Sequence, residues 1–133
     1  MATLDEIGTY LETQGVGTQA TDLFLRSAPD TPDACVAVLE YGGAPPVPKM
    51  GNTPGAVILE RPRIQVRARA ATYTAAETKA KAAWSALHWF VGTLSGTVYY
   101  KIEALQSPFL LERDENNRFI VGFNCQIEKD RST

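Results

Sequence analysis

The chain has 133 residues, 44% of them hydrophobic, which is the size and composition of one globular domain over residues 1–133. Its 13 basic and 15 acidic side chains give a net charge of −2, which argues against a general nucleic-acid binder, because such domains are normally basic. No secretory signal and no run of the ~20 apolar residues of a membrane span is visible, so we expect a soluble intracellular protein without membrane contact.

The first forty residues predict one helix and two strands. Thr3 and Glu6 have the spacing of a capping box, and the apolar residues after them recur at helical spacing, which predicts a helix over residues 3–14. Apolar stretches predict strands over residues 22–27 and 35–41, and the prolines and aspartates between them predict a turn.

Residues 42–55 form the strongest break in composition. The segment contains four glycines and four prolines, so we expect a long exposed loop rather than a helix or a central strand. Long loops inside compact domains are usually functional or disordered. We therefore interpret the centre of this loop as a partner contact, formed by Pro46, Val47, Pro48, Lys49 and Met50.

Strands dominate the rest of the chain. Strand pieces are predicted over residues 56–60 and 63–71, interrupted at Pro62, which marks a sheet edge or a bulge because proline cannot donate to a ladder. A further strand is predicted over residues 97–106, followed by a hairpin around the DENN turn at residues 114–117.

One long helix lies between these strands. Thr74 and Glu77 form a second capping box, and the apolar stripe after them continues at helical spacing to Val91, with Gly92 as the stop. The order of elements predicts an α+β fold, in which a mostly antiparallel sheet is flanked by the N-terminal helix and this long central helix.

The segment ERPRIQVRARA at residues 60–70 alternates arginine with apolar residues. In a strand, side chains point alternately to the two faces, so one face would carry an arginine row, formed by Arg61, Arg63, Arg67 and Arg69. Four like charges without an acid at the same-side positions repel one another, so we expect an anionic group opposite them. The candidates are acids of a second copy of the chain and DNA, and the alternative is a solvated sheet face.

Residue types that form catalytic or metal sites are nearly absent. His88 is the only histidine, and without a second imidazole or a nearby thiol it has no triad or zinc site to join. The glycine patterns of nucleotide-binding loops are absent too. We therefore predict a protein that is not an enzyme and needs no cofactor or metal, in which His88 is an ordinary surface residue.

Two tryptophans accompany the central helix. Trp84 falls on the apolar stripe and is predicted to be in the core, whereas Trp89 falls to one side of it. Trp89 is either a residue at the rim of the core or an exposed anchor for a partner, a role in which tryptophan is enriched. Cys35 and Cys125 lie in apolar surroundings and are predicted to be buried, reduced thiols.

Three segments carry a resemblance to a known family. They are PDTPDACVAVLEYGG, then LERPRIQVRARA after the proline-rich loop, then IEALQSPFLLERDENNRFIVGFNCQIEK after the helix. In this order and spacing they resemble the minor capsid protein family of tailed bacteriophages, whose members are similar to the tail terminators of long-tailed phages. The resemblance extends from about Pro29 to Lys129.

The resemblance implies a structural protein of the virion tail and neck, assembled in the host cytoplasm. Such terminators form a ring, commonly a hexamer, that sits on the tail tube protein, stops its polymerisation and joins the tail to the head connector or stopper protein. Genomic DNA passes through the ring without sequence-specific binding. The arginine row would then meet a neighbouring subunit or face this channel, and the resemblance leaves both possibilities open.

Acidic and basic side chains lie in different parts of the sequence, as the contacts within such a ring require. Residues 1–60 carry eight acidic and two basic side chains, whereas residues 61–89 carry six basic and one acidic. A head-to-tail ring needs two different patches that fit each other, and this asymmetry provides them. Two other functions stay open, a head-completion or stopper protein of the neck and a stand-alone nucleic-acid-binding domain that uses the arginine row.

Overall fold

A computed structural model describes residues 3–45, 47–48 and 57–130 of the chain. The fold is α+β, with two helices and a mostly antiparallel sheet. The elements in chain order are α1 (Thr3–Thr13), β1 (Leu23–Leu25), β2 (Cys35–Gly43), β3 (Val47–Pro48), β4 (Val57–Glu60), β5 (Pro62–Ala70), α2 (Tyr73–Leu87), β6 (Phe90–Leu94), β7 (Thr97–Ala104), β8 (Phe109–Arg113) and β9 (Phe119–Asp130). No helix in these described ranges is long and apolar enough to cross a membrane.

The strand β9 is the centre of the sheet. One of its edges pairs with β5 and then β4, and the other edge pairs with β8 and then β7. The sheet continues from β5 to β2, from β4 to β3 and from β7 to β6. All of these pairs are antiparallel, and only β1 beside β2 is parallel among the described strands.

The core lies between the helices and one face of the sheet. Alternate residues of β5, including Ile64 and Val66, point into it, as the alternating sequence predicted. On α2 the buried positions Ala76, Ala80 and Ala83 are small, which lets the helix approach the sheet closely. The sheet face with these buried residues is the inner face, and the opposite face is called the outer face below.

A close approach between β5 and β9 requires glycine at position 122. A Cβ atom built on Gly122 would overlap the carbonyl oxygen of Val66 and would lie 2.8 Å from Cδ1 of Leu111. The backbone oxygen cannot move aside without breaking the pairing of the two strands, so a side chain at position 122 would disrupt that pairing.

Helix α1 agrees closely with the sequence prediction, but its capping box is wrong. The helix covers Thr3–Thr13, and Gly15 follows it with a φ of +80°, the left-handed geometry typical of a helix end. Glu6 is buried, and its carboxylate accepts hydrogen bonds from Thr97 and Tyr99 rather than capping the helix.

Helix α2 begins earlier and ends earlier than predicted. The N-cap is Thr72, whose hydroxyl oxygen accepts from the amide of Ala75 at 3.2 Å, so the predicted cap at Thr74 is wrong. The helix ends at Leu87, and Val91 belongs to the strand β6, which was not predicted.

The predicted loop is partly a strand. Residues 42 and 43 extend β2, and Val47–Pro48 forms β3, which pairs with β4. Pro46, Lys49 and Met50 lie outside the described residues. Pro62, predicted to mark a sheet edge or a bulge, begins β5 and pairs with Gly43, next to a register shift in β2 between Glu40 and Gly43.

Candidate interaction surface

The arginine row lies on the outer face of the sheet, as the alternation along β5 predicted. Arg63 and Arg67 are partly exposed, and Arg69 is buried at 8% exposure. Arg61 stands between β4 and β5, where its Nε is 3.8 Å from Oε1 of Glu128. The row is therefore continuous along the strand but uneven in exposure.

Two arginines of the row form ion pairs with acidic residues of the same chain. Besides the Arg61–Glu128 contact, Nη2 of Arg67 lies 2.5 Å from Oε1 of Glu112, which belongs to β8. Arg63 has a neutral partner, because its Nε donates to Oε1 of Gln126 at 2.6 Å. These acids have no signal in the sequence, because strands that adjoin in a sheet are far apart along the chain. Part of the expected anionic group is therefore intramolecular.

Arg69 is bonded to backbone oxygens instead of acids. Its Nη2 donates to the carbonyls of Pro29 at 2.6 Å and Pro32 at 2.7 Å, and its Nε donates to the carbonyl of Asp33 at 3.3 Å. These bonds fasten the connection between β1 and β2 to the outer face. The charge of Arg69 has no ion pair with any residue the structure describes.

Arg118, which no pattern in the sequence marks, also holds the connection between β1 and β2. Its guanidinium, 7% exposed, lies 2.9 Å from Oδ1 of Asp30, 3.2 Å from Oδ1 of Asp33 and 2.7 Å from Oδ2 of Asp114. Burial alone would raise the pKa of Asp114, but its hydrogen bonds with Arg118 outweigh burial and lower that pKa. The connection is thus held by two guanidiniums.

A groove opens on the outer face beside this connection. It has a volume of about 270 Å³, and its arginines are Arg26, Arg67 and Arg69. Its remaining wall is small or apolar, with Ala37 and Leu39 from β2 among the lining residues. Arg26 is exposed and has a φ of +79°, so a strained backbone presents its side chain, and no pattern in the sequence marks this residue.

Trp89 lies at the surface near the end of α2. It is 58% exposed and has a φ of +63°, a left-handed conformation that is rare for a bulky residue. Its amide donates to the carbonyl of Ile102 at 2.7 Å, which holds the backbone in place. Val91 beside it is 68% exposed. Whether Trp89 contacts a partner remains a prediction.

The prediction for His88 needs correction. The residue is half-buried and ends α2, and its Nδ1 accepts a hydrogen bond from the amide of Ala104 at 3.1 Å. Its ring stacks on Trp84 with centroids 4.7 Å apart. Trp84 is itself only partly buried, and it packs against the core rather than within it. His88 is thus a structural residue that joins α2 to β7.

A buried polar cluster ties α1 to the sheet. Lys129 of β9 donates to the hydroxyl of Thr3 at 2.6 Å and lies 3.4 Å from Oε1 of Glu6. Tyr99 of β7 donates to the same carboxylate oxygen at 2.7 Å, and burial followed by this bond raises the pKa of Tyr99. Each of these groups has a hydrogen-bond partner, so the cluster stabilises the packing of helix α1 on the sheet.

The cysteines agree with the sequence prediction. Cys35 and Cys125 are buried and free, and burial raises the pKa of Cys125 to about 12. Among the residues that the structure describes, no group of three or more histidine, cysteine or acidic side chains could hold a metal ion. The groove on the outer face and the exposed side chain of Trp89 are therefore the candidate interaction sites.

Comparison with known proteins identifies the family. The sequence profile described as bacteriophage tail terminator protein matches residues 10–131. In structure, the chain is similar to a protein from the virion of a native gene transfer agent particle, with 18% identity and a TM-score of 0.59 over 98% of this chain and 96% of that chain. A second solved structure has 14% identity and a TM-score of 0.58 over 100% of this chain and 99% of that chain. No curated protein matches the chain.

The chain belongs to the bacteriophage tail terminator protein family, and the resemblance read from its sequence is confirmed. It is therefore a structural protein of a phage virion that associates with other virion components. The likeness to the two solved structures extends over nearly the whole of each chain, which supports the fold.

Proposed function

We propose that this protein is the tail terminator of its phage. Six copies form a ring on the last ring of tail tube protein, stop its polymerisation and present the surface to which the head connector or stopper protein binds. The observation that carries this proposal is the family match over residues 10–131, which includes the end of helix α1, the whole of helix α2 and every described strand. Genomic DNA passes through the ring without sequence-specific contacts.

The proposed contact surfaces of the ring are those predicted from the sequence. The arginine row, Arg61, Arg63, Arg67 and Arg69, lies on one continuous face, which suits a contact with a neighbouring subunit or the wall of the channel. Trp89 and the segment Pro46, Val47, Pro48, Lys49 and Met50 are the proposed contacts with the tube or the connector. An exposed tryptophan contributes most to binding when a partner removes it from water.

The test is a phage mutant that lacks this protein, examined by electron microscopy with and without the protein supplied in trans. We expect tails of uncontrolled length and no joined heads without it. With it, we expect tails of uniform length that end in an added six-fold ring. Tails of normal length that merely fail to hold heads or DNA would reject the terminator and support the stopper alternative.

The nucleic-acid-binding alternative has a simpler test. The net charge is −2, and two of the four row arginines already face acids of the same chain, so phosphate-driven affinity should be feeble. A gel shift with duplex DNA at physiological salt should show no complex at micromolar protein. A tight, salt-sensitive complex would favour the alternative.

A further inference from the structure

The groove on the outer face carries more positive charge than the described residues neutralise. Arg26 makes no hydrogen bond or ion pair through its side chain with any residue the structure describes. Arg69 is buried and bonded only to neutral carbonyls, whereas Arg67 has the acid Glu112 at 2.5 Å. A buried cation that lacks an acid gains stability when a carboxylate is brought to it.

The shape of the groove limits what can supply that carboxylate. A volume of about 270 Å³ with small and apolar walls accommodates one or two side chains of an extended peptide. A DNA duplex presents its phosphates to exposed cations, and the burial of Arg69 keeps that guanidinium out of a duplex's reach. The groove therefore favours an acidic side chain with a small apolar residue beside it.

The chain itself carries acids of this kind. Asp5, Glu40 and Glu115 have no side-chain hydrogen bond or ion pair with the described part of the protein. Glu40 is exposed on β2 and lies opposite Ile64 of β5, so its carboxylate is on the sheet face away from the groove of its own copy. A head-to-tail assembly brings a different surface of one copy against the groove of the next.

We propose that the groove formed by Arg26, Arg67 and Arg69 is the receptor half of the contact between copies, and that an acidic segment of a second copy fills it. The inference rests on the proposed ring. It adds that the contact is made at one end of the arginine row, with Arg26 from outside the row, and that Arg61 and Arg63 are not needed for it. Complementary charges at such a contact give orientation as well as affinity.

The experiment uses the full chain in assembled particles. Ala28 is exposed and lines the groove, so Ala28→p-benzoylphenylalanine places a photo-crosslinker there without touching an arginine. The variant is supplied to the phage mutant, particles are purified and irradiated, and cross-linked peptides are identified by mass spectrometry. We expect a dimer of this chain, cross-linked to a segment that contains an aspartate or glutamate.

Two charge variants measure how much electrostatic attraction contributes to the contact between copies. Arg26→Glu in the cross-linking background should lower the dimer yield at least tenfold, because it removes the free cation and repels the incoming acid. Lys81→Glu makes the same charge change at an exposed site on α2 outside the groove, so it should leave the yield within twofold. Circular dichroism checks that both variants are folded.

The results separate this inference from the proposed function. A cross-linked dimer supports the groove contact even in particles whose tails are not capped by a ring. Cross-linking to the tail tube protein, to a head protein or to DNA overturns the inference, and so does an absence of dimer in particles that contain a complete ring. Equal dimer yields for Arg26→Glu and Lys81→Glu would also overturn it.

Discussion

Replacing Arg69 by methionine should destabilise the protein far more than its place in a surface row suggests. The substitution keeps the aliphatic stem but removes two short hydrogen bonds to the carbonyls of Pro29 and Pro32, at 2.6 and 2.7 Å, and a longer one to Asp33. Hydrogen bonds from a charged donor contribute roughly 1.5–3 kcal/mol each. The carbonyls lie on exposed residues and recover water, so we expect a net loss of about 2 kcal/mol.

Thermal and chemical denaturation provide the assay. For a chain of this length, about 2 kcal/mol corresponds to a fall of roughly 6–10 °C in Tm. Arg63→Met is the matched control, because Arg63 is partly exposed and makes one bond, to Gln126, so it should cost no more than ~1 kcal/mol. Hydrogen exchange should also show the amide of Arg26, which is bonded to Val38, losing protection in Arg69→Met alone.

Equal stability of the two variants would refute this reasoning. It would mean that the guanidinium of Arg69 is as dispensable as that of Arg63 and that the β1–β2 connection is held by other contacts. Loss of stability without any change in exchange at Arg26 would place the effect elsewhere in the sheet.

Three further predictions concern other parts of the molecule. Gly122→Ala should lower stability by ~3 kcal/mol or more in urea denaturation, because its Cβ would overlap the carbonyl of Val66 and the two strands must separate, and a wild-type midpoint would contradict this. Thr72→Ala should cost about 1 kcal/mol through loss of the N-cap, whereas Thr74→Ala, at the site first predicted, should cost less. Burial raises the pKa of Cys125 to about 12, so above pH ~9 the unfolded chain loses this proton first. Stability should then fall as the pH rises toward 12, and Cys125→Val should reduce that slope in pH-dependent melts.

Local sequence rules recovered the elements whose own residues determine them. The alternation of Ile64, Val66 and Ala68 with polar neighbours placed β5 correctly, because a strand has a period of two whatever it pairs with. The core positions Ala76 and Ala80 of α2 followed from helical spacing in the same way.

The sequence predictions were wrong where contacts with residues far away in the sequence determine the local structure. Val91 continues the apolar spacing of α2, but the left-handed backbone at Trp89 turns the chain, and pairing with β7 makes the next residues a strand. Glu6 has the spacing of a capping residue, yet the hydroxyls of Thr97 and Tyr99 on a strand about ninety residues later bind its carboxylate. Tertiary contacts override local propensity at such positions.

Contacts between residues far apart in the sequence also determine the candidate site. The sequence predicts the arginine row, but it does not predict how deeply each arginine is buried. The carbonyls that bury Arg69 belong to the connection between β1 and β2, for which the sequence predicts only a turn. Arg26 had no sequence signal, since one exposed arginine near a short strand is unremarkable until the fold sets it beside Arg67 and Arg69.

The position of β9 in the chain has a consequence for how copies of the protein are made. β9 follows every strand with which it pairs, and without it the edges of β5 and β4 on one side and of β7 and β8 on the other have no common neighbour. During synthesis, we expect these four strands to have unpaired edges until the ribosome has released residues 119–130. Unpaired strand edges bind readily to other chains. The delay before β9 arrives therefore sets how long neighbouring nascent copies can pair with one another in the wrong way.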